Sequence, residues 1–310
     1  MSFARKSTLE ATTADLPEKP TEQSSITRTE LVATDIGASS DRGRVRQNNE
    51  DHYLVVRFGR SLVTCQTNLD KSLLQPNHVT SGVGMMVADG LGGAAGGEVA
   101  SSMALSRLVE LLVHTPDWIL SVESERSVTT VLDRMTRRFQ QIDDTLRSHA
   151  EQNYGLRGMG TTLTVAGTVG RDMFIGHVGD SRAYLLRAGE LKQLTSDHTL
   201  AQAMVDSGLA GPDDSAARAI RHILTRAIGL SDEEIEPQIR RLRLFEGDQV
   251  LLCTDGLTNV VNEQSLTSVM IETDSAQKAC DTLIASALEA GAPDNVTLII
   301  ARFGPDAQPQ

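Results

Sequence analysis

Residues 83–98 read Val-Gly-Met-Met-Val-Ala-Asp-Gly-Leu-Gly-Gly-Ala-Ala-Gly-Gly-Glu. A short apolar run of strand type (83–88) leads straight into Asp89, five glycines follow within eight residues, and a helical period begins at once. The same grammar returns twice. Val250-Leu-Leu-Cys-Thr runs into Asp255-Gly256, and Phe174-Ile-Gly-His-Val-Gly runs into Asp180-Ser181. It also appears reversed: Pro293-Asp294-Asn295 stands immediately before an apolar run at 295–302, and Glu50-Asp51 before another at 53–58.

Further strands are expected at 161–169, 172–178, 182–187 and 249–253, with a hairpin turn at Arg187-Ala188-Gly189-Glu190. Helical periods cover 98–113, 127–149 and 276–289. In the second, Val128, Val131, Leu132, Met135, Phe139, Ile142 and Leu146 fall three or four apart with Ser127 as N-cap, and the third stops at Gly291. Strands grouped through tight turns, with helices before and after the groups, predict an α+β layered sandwich rather than a parallel βαβ sheet.

The chain has 310 residues, enough for one large core. With 29 Lys and Arg against 41 Asp and Glu its formal charge is −12, which argues against affinity built on neutralising a phosphate backbone, so no nucleic-acid partner is expected. No apolar stretch suits a membrane span or a signal peptide, and a cytoplasmic protein is expected. Three cysteines, Cys65, Cys253 and Cys280, are too few and too scattered for a disulfide framework or a zinc site. Residues 1–28 are polar and without apolar period, and are expected to form a flexible tail. The globular domain is placed at 29–304, with a flexible C-terminus at 305–310.

A single Asp-Gly carries little, since it is a common turn dipeptide whose carboxylate bonds its own backbone. Several acids gathered on one rim of the sheets are different. Without matching Lys or Arg they repel one another, and a hard cation such as Mg²⁺ or Mn²⁺ relieves them. Glycines after Asp89 let main-chain groups reach a ligand, although the stretch would also serve as a plain connector. It is not a nucleotide loop, because no Lys-Ser/Thr follows the glycines.

Seven stretches in order resemble the metal-dependent protein phosphatase family (PPM, type 2C) in its bacterial serine/threonine form. They are Ser40-Asp-Arg-Gly-Arg-Val-Arg-Gln-Asn-Asn-Glu-Asp51, Asp89-Gly-Leu-Gly-Gly with Gly97-Glu-Val-Ala-Ser101, Gly158-Met-Gly-Thr-Thr162, Gly179-Asp-Ser-Arg-Ala-Tyr-Leu185 with Leu194-Thr-Ser-Asp-His198, Leu224-Thr-Arg-Ala-Ile-Gly229, Thr254-Asp-Gly-Leu257 and Pro293-Asp-Asn-Val-Thr297. The resemblance spans 31–303. It implies an α/β/β/α four-layer sandwich of two packed antiparallel sheets with helices outside, and a metal centre at one end.

Roles follow by position. Asp89 is expected to bridge two Mn²⁺ or Mg²⁺ ions, with Glu50 and the Gly90 carbonyl on one and Asp255 and Asp294 on the other. Asp51 and Asn295 are expected to orient the ligands, Asp180 with Asp255 to hold a weaker third ion, and Arg46 to grip the substrate phosphate. The implied activity is hydrolysis of phosphoserine and phosphothreonine on proteins by a metal-activated water, with Arg46, Asp89 and Asp255 central to it. Expected partners are phosphoproteins and a Ser/Thr kinase, with no nucleic acid and no membrane, and the expected state is a monomer. Dedication to one phosphoprotein, such as an anti-sigma-factor antagonist, is a related possibility. The alternatives are a catalytically silent pseudophosphatase that uses the fold for binding, and a structural Ca²⁺ protein. The last leaves Arg46 unexplained and has no EF-hand loop.

Departures from the family pattern are also visible. Ala94 stands where many bacterial members have a His in the glycine loop, and Leu91 replaces a Met. Residues 59–80 exceed a minimal member and are expected to form a surface hairpin or docking loop, while 199–223 correspond to the mobile flap. His52, His177 and His198 are read as hydrogen-bonded structural residues.

Overall fold

The computed structural model describes residues 31–62, 78–92, 96–114, 125–211, 214–215, 219–231 and 233–305. In chain order these form β1 (Leu31–Asp41), β2 (Asp51–Leu62), β3 (His78–Leu91), α1 (Gly96–His114), α2 (Glu125–Gln152), β4 (Gly160–Thr161), β5 (Leu163–Val169), β6 (Asp172–Val178), β7 (Arg182–Arg187), β8 (Glu190–Gln193), α3 (Leu200–Asp206), β9 (Gln238–Arg243), β10 (Gln249–Cys253), α4 (Asp255–Thr258), α5 (Glu263–Glu272), α6 (Ala276–Glu289) and β11 (Val296–Pro305).

Two antiparallel sheets result. One runs β1-β11-β10-β7-β8 and the other β2-β3-β5-β6-β9, with β4 paired on the end of β3. Strand alternation places every second residue between them. Val250, Leu252, Ile299, Ala301 and Leu185 face Met85, Val87, Ala166, Met173 and Ile175 across the interior. The intervening residues face outward onto helices. Leu251, Cys253, Leu298 and Ile300 pack on Leu266, Met270 and Leu283, whereas Met86, Ala88, Leu163 and Val165 pack on Ala104, Leu108, Phe139, Ile142 and Leu146. This is the α/β/β/α sandwich that the motifs imply. Among the described residues no helix is long and apolar enough to cross a membrane.

The periodic segments lie where expected, and their boundaries differ for physical reasons. Helix α2 begins at Glu125, so Ser127 sits inside its first turn rather than capping it. The run 161–169 is broken at Thr162, which turns to bond the main chain of Asp89 and so divides β4 from β5. Strands β2 and β3 pair continuously from Asp51↔Asp89 to Leu62↔His78, so the ends of the 59–80 insertion extend a hairpin while 63–77 lie outside the described residues. The hairpin at 187–190 forms with Ala188 and Gly189 both at positive φ, and α6 ends just before Gly291. Strands β1, β8 and β9 and helices α3 and α5 were not read from the pattern, being short, mixed in polarity or at sheet edges. The expectations for 1–28 and for Ala94 fall outside the described residues; at the C-terminus Pro305 still belongs to β11 and 306–310 are likewise outside.

Candidate active site

Strand register, rather than turns, gathers the acids. Asp51 opens β2 and Asp89 lies near the end of β3, where the two are direct cross-strand partners. Like charges at such a position are destabilising unless something else compensates. From the other sheet, Asp255 begins α4 immediately after β10, and Asp294 stands two residues before β11. Asp180 follows β6 across Gly179, which adopts a positive φ of 112°.

Burial and mutual repulsion shift these carboxyls in the same direction. Burial, then repulsion from Asp51, Asp255, Asp180 and Asp294, holds the Asp89 carboxyl well above the usual carboxylate range. Burial pushes Asp180 up to about 8, with Asp255 and Asp197 adding to the rise. Asp51 is pushed up to about 7, chiefly by burial, against hydrogen bonds from Thr254 and Thr297. Asp255 is raised by burial and by Asp294, against the hydrogen bond from Asn259. Glu50 is raised mainly by burial, although Arg46 works in the opposite direction.

Each acid is held by its own scaffold. Thr254 Oγ donates to Asp51 Oδ2 at 2.8 Å and ties the sheets together, leaving Asp51 Oδ1 buried without a partner. Asn259 Nδ2 donates to Asp255 Oδ2 at 2.8 Å, and Asp255 Oδ1 is likewise buried and unpartnered. Thr162 Oγ accepts from Asp89 N–H at 3.0 Å, while Thr162 N–H and Thr161 Oγ both donate to the Asp89 carbonyl. Asn295 staples the loop before β2: its Oδ1 accepts from Glu50 N–H at 2.8 Å, and its Nδ2 donates to the carbonyls of Arg42 and Asn48.

Gly90 and Gly97 have a steric purpose. A Cβ on Gly90 would collide with the main chain of Gly97, and one on Gly97 would lie 2.8 Å from Glu50 Oε2 and from the Gly90 carbonyl oxygen. The glycine-rich stretch therefore brings the start of α1, the Gly90 carbonyl and the Glu50 carboxylate together, which a plain connector would not require. Arg46 is exposed at the rim, and its Nη2 lies 2.7 Å from Asp294 Oδ2. Asn295 N–H occupies Asp294 Oδ1 at 2.9 Å, so both Asp294 oxygens have partners.

An all-oxygen donor set with two orphaned buried carboxylate oxygens and a main-chain carbonyl fits hard divalent cations. Among the described residues no three acids already close around one point. Cations of this kind keep several waters, so convergent acids suffice without a finished cage.

His52, His177 and His198 each take part in a hydrogen bond, although His177 Nε2 is buried without a partner. His52 Nδ1 lies 2.9 Å from Ser101 Oγ, which donates to the Glu50 carbonyl at 2.6 Å. His177 stacks on His198 with ring centroids 5.0 Å apart. His198 Nδ1 accepts from Gly179 N–H at 3.1 Å and so braces the turn that carries Asp180. Burial drives His177 down to about 3 and His198 to about 4, so both are neutral at physiological pH. Cys253 is buried with its thiol raised to about 12 by burial, and Cys280 is buried too, which leaves both inert. Motif reading assigned no role to the hydroxyls of Thr161, Thr162 and Thr254 or to the Arg182–Asp197 pair at 2.6 Å beside Asp180. The available signals were Thr254 standing directly before Asp255 and the Thr161-Thr162 pair of the family-like stretch.

Two packed antiparallel sheets carry acids from five chain segments at one end, the architecture of the phosphatase 2C fold. The protein phosphatase 2C family model matches residues 65–289, and the chain belongs to that family. It is 34% identical over 264 residues to the serine/threonine protein phosphatase PstP of Mycobacterium tuberculosis, covering 85% of this chain and 44% of that one, so the chain spans less than half the length of that relative. It is 31% identical to the serine/threonine phosphatase stp of Listeria welshimeri over 84% of this chain and 92% of the relative. A crystal structure of the PstP catalytic domain in complex with two manganese ions superimposes with a TM-score of 0.67 at 31% identity, covering 89% of this chain and 99% of that one.

Proposed function

We propose that this chain hydrolyses phosphoserine and phosphothreonine on proteins, using Mn²⁺ or Mg²⁺ held by Glu50, Asp89, the Gly90 carbonyl, Asp255 and Asp294. The observation that carries the reading is the crowd of acids with raised affinities for protons, two of them with orphaned buried oxygens, beside one exposed arginine. The manganese-bound PstP structure supports the choice of metal class. When bound, such cations lower the pKa of a water and offset charge on phosphoryl oxygens.

This chain's own residues supply placement and charge. Asp89 and Asp255, both held above the usual carboxylate range by burial, must be deprotonated to accept a cation. Thr161 and Thr162 keep the Asp89 main chain in one position throughout. Asp51 orients the centre from beneath through Thr254. Arg46 and Asp294 are bonded to each other, so the roles given to them require that pair to open, with a phosphate replacing Asp294 on the guanidinium fork and a cation replacing Arg46 on the carboxylate. Asn295 holds the loop that carries both Arg46 and Glu50, and Asp180 with Asp255 offers a weaker third site. Residues 29–304 are the catalytic domain on this reading, acting as a monomer in the cytoplasm against a Ser/Thr kinase. The presence of every expected acid disfavours the silent binding role.

Release of phosphate from a phosphothreonine peptide should require Mn²⁺ or Mg²⁺ and stop with EDTA. Hydrolysis that persists in EDTA would remove the metal-dependent reading, and absence of hydrolysis despite bound Mn²⁺ would favour the silent alternative.

A further inference from the structure

Helix α2 lies outside the sheets, yet it buries a carboxylate, Asp143, that is 1% exposed. Asp143 Oδ1 accepts from Gly229 N–H at 2.7 Å, and Arg147 Nε approaches Oδ2 at 3.1 Å. Gly229 sits at φ +88°, and a Cβ there would press on Leu146 at 3.1 Å, so this turn is seated directly on the helix. Its neighbour Ile228, fully buried, exchanges two main-chain hydrogen bonds with Thr161, of 3.0 and 2.9 Å. On its other edge Thr161 pairs with Gly90, and its Oγ donates to the Asp89 carbonyl at 2.8 Å.

The result is a three-ply ribbon: Ile228–Gly229 outside, Gly160–Thr161 in the middle, Asp89–Gly90 at the site. A part-buried amide donor left without its acceptor is costly, so the outer ply would shift toward water if Asp143 were removed. Because each ply is bonded to the next, that shift would be passed to the main chain that presents the Asp89 carboxylate and the Gly90 carbonyl.

We propose that Asp143 is a positioning residue for the metal centre, acting through Gly229–Ile228 and Thr161 on the main chain of Asp89–Gly90. This rests on the metal-dependent reading above and assigns it a residue remote from the acids. Toward Gly229 an amide oxygen accepts as the carboxylate does, and the ion pair with Arg147 is lost in the Asn and Ala variants alike, so comparing the two isolates the acceptor.

Calorimetric titration of Mn²⁺ into the full chain at 15 °C, with circular dichroism as a check on folding, tests this without recourse to activity. Asp143→Ala should weaken Mn²⁺ binding about tenfold, and Asp143→Asn should restore it to within about threefold of wild type. A folded Asp143→Ala variant with wild-type affinity overturns the proposal, as does Asp143→Asn being as weak as Asp143→Ala. Should Asp143→Ala not fold, Thr161→Val, which removes the hydroxyl shared between the Asp89 and Thr162 carbonyls and leaves the main-chain pairing with Ile228 in place, should show the same weakening, and wild-type affinity there refutes the route. Wild-type protein that binds no Mn²⁺ sinks both this inference and the functional reading, whereas normal wild-type binding with unaffected variants sinks this inference alone.

Discussion

Metal-free protein should lose stability as the pH rises from 6.5 to 8, the reverse of what salt-bridged carboxylates produce. Asp51 and Asp180, buried beside other acids, hold protons up to about 7 and about 8, against 3.8 for each when freely solvated. Over that interval the folded state binds protons that the unfolded chain has already released, so stability is largest at low pH and is lost as the pH rises through the folded values. At pH 6.5 an acid with a folded value near 7 retains about 0.8 kcal/mol of this term and one near 8 about 2 kcal/mol; by pH 8 they keep about 0.5 kcal/mol together. The expected loss is therefore about 2 kcal/mol, or about 4–8 °C in Tm for a domain of this size. Below 6.5 the trend is opposed, because His177 and His198 are buried neutral and resist the charge that the unfolded chain accepts. Thermal denaturation in EDTA should thus level off below about pH 5.5 and fall steadily above it. Saturating Mg²⁺ should flatten or reverse the alkaline side, since cation binding requires the deprotonated acids. A Tm in EDTA that stays level or climbs between pH 6.5 and 8 would show that these acids are not crowded as the structure has them.

Asn295→Ala should cost about 2–4 kcal/mol, because one buried amide serves Glu50 N–H and the carbonyls of Arg42 and Asn48. It should also raise KM by loosening the Arg46 loop, and a Tm within about 1 °C of wild type would count against the staple. Arg46→Ala should raise KM about 10- to 100-fold with a smaller fall in kcat. Calorimetric Mn²⁺ binding should hold or tighten as Asp294 loses its competing partner, so weaker metal binding with unchanged KM would make Arg46 structural. Asp180→Ala should lower turnover while Tm in EDTA at pH 8 holds or rises, since an unfavourably ionised acid is removed; a lower Tm with wild-type kcat would reduce Asp180 to a turn cap. Asp89→Asn should abolish most turnover at moderate Mn²⁺, and near-wild-type phosphate release would end the bridging assignment.

The one-dimensional pattern determined a good deal. Alternating apolar runs such as 249–253 and the spaced apolar stripe of 127–149 announce strands and an outer helix, because period two and period 3.6 are properties of local backbone geometry. Acids placed at strand ends were equally visible, since a strand end projects its last side chains onto a sheet rim. Tertiary structure decided who meets whom. Asp51 faces Asp89 at one end of a strand register that runs without a break to Leu62↔His78. Asn295 reaches Glu50 across 245 residues of chain, and Thr254 reaches Asp51 across 203. Arg46 spends its guanidinium on Asp294, and Thr162 interrupts a strand to hold Asp89, neither of which any local periodicity encodes. Such partnerships depend on how two sheets stack and on which buried donors remain unpaid once they do, and these quantities exist only when distant segments have been packed together.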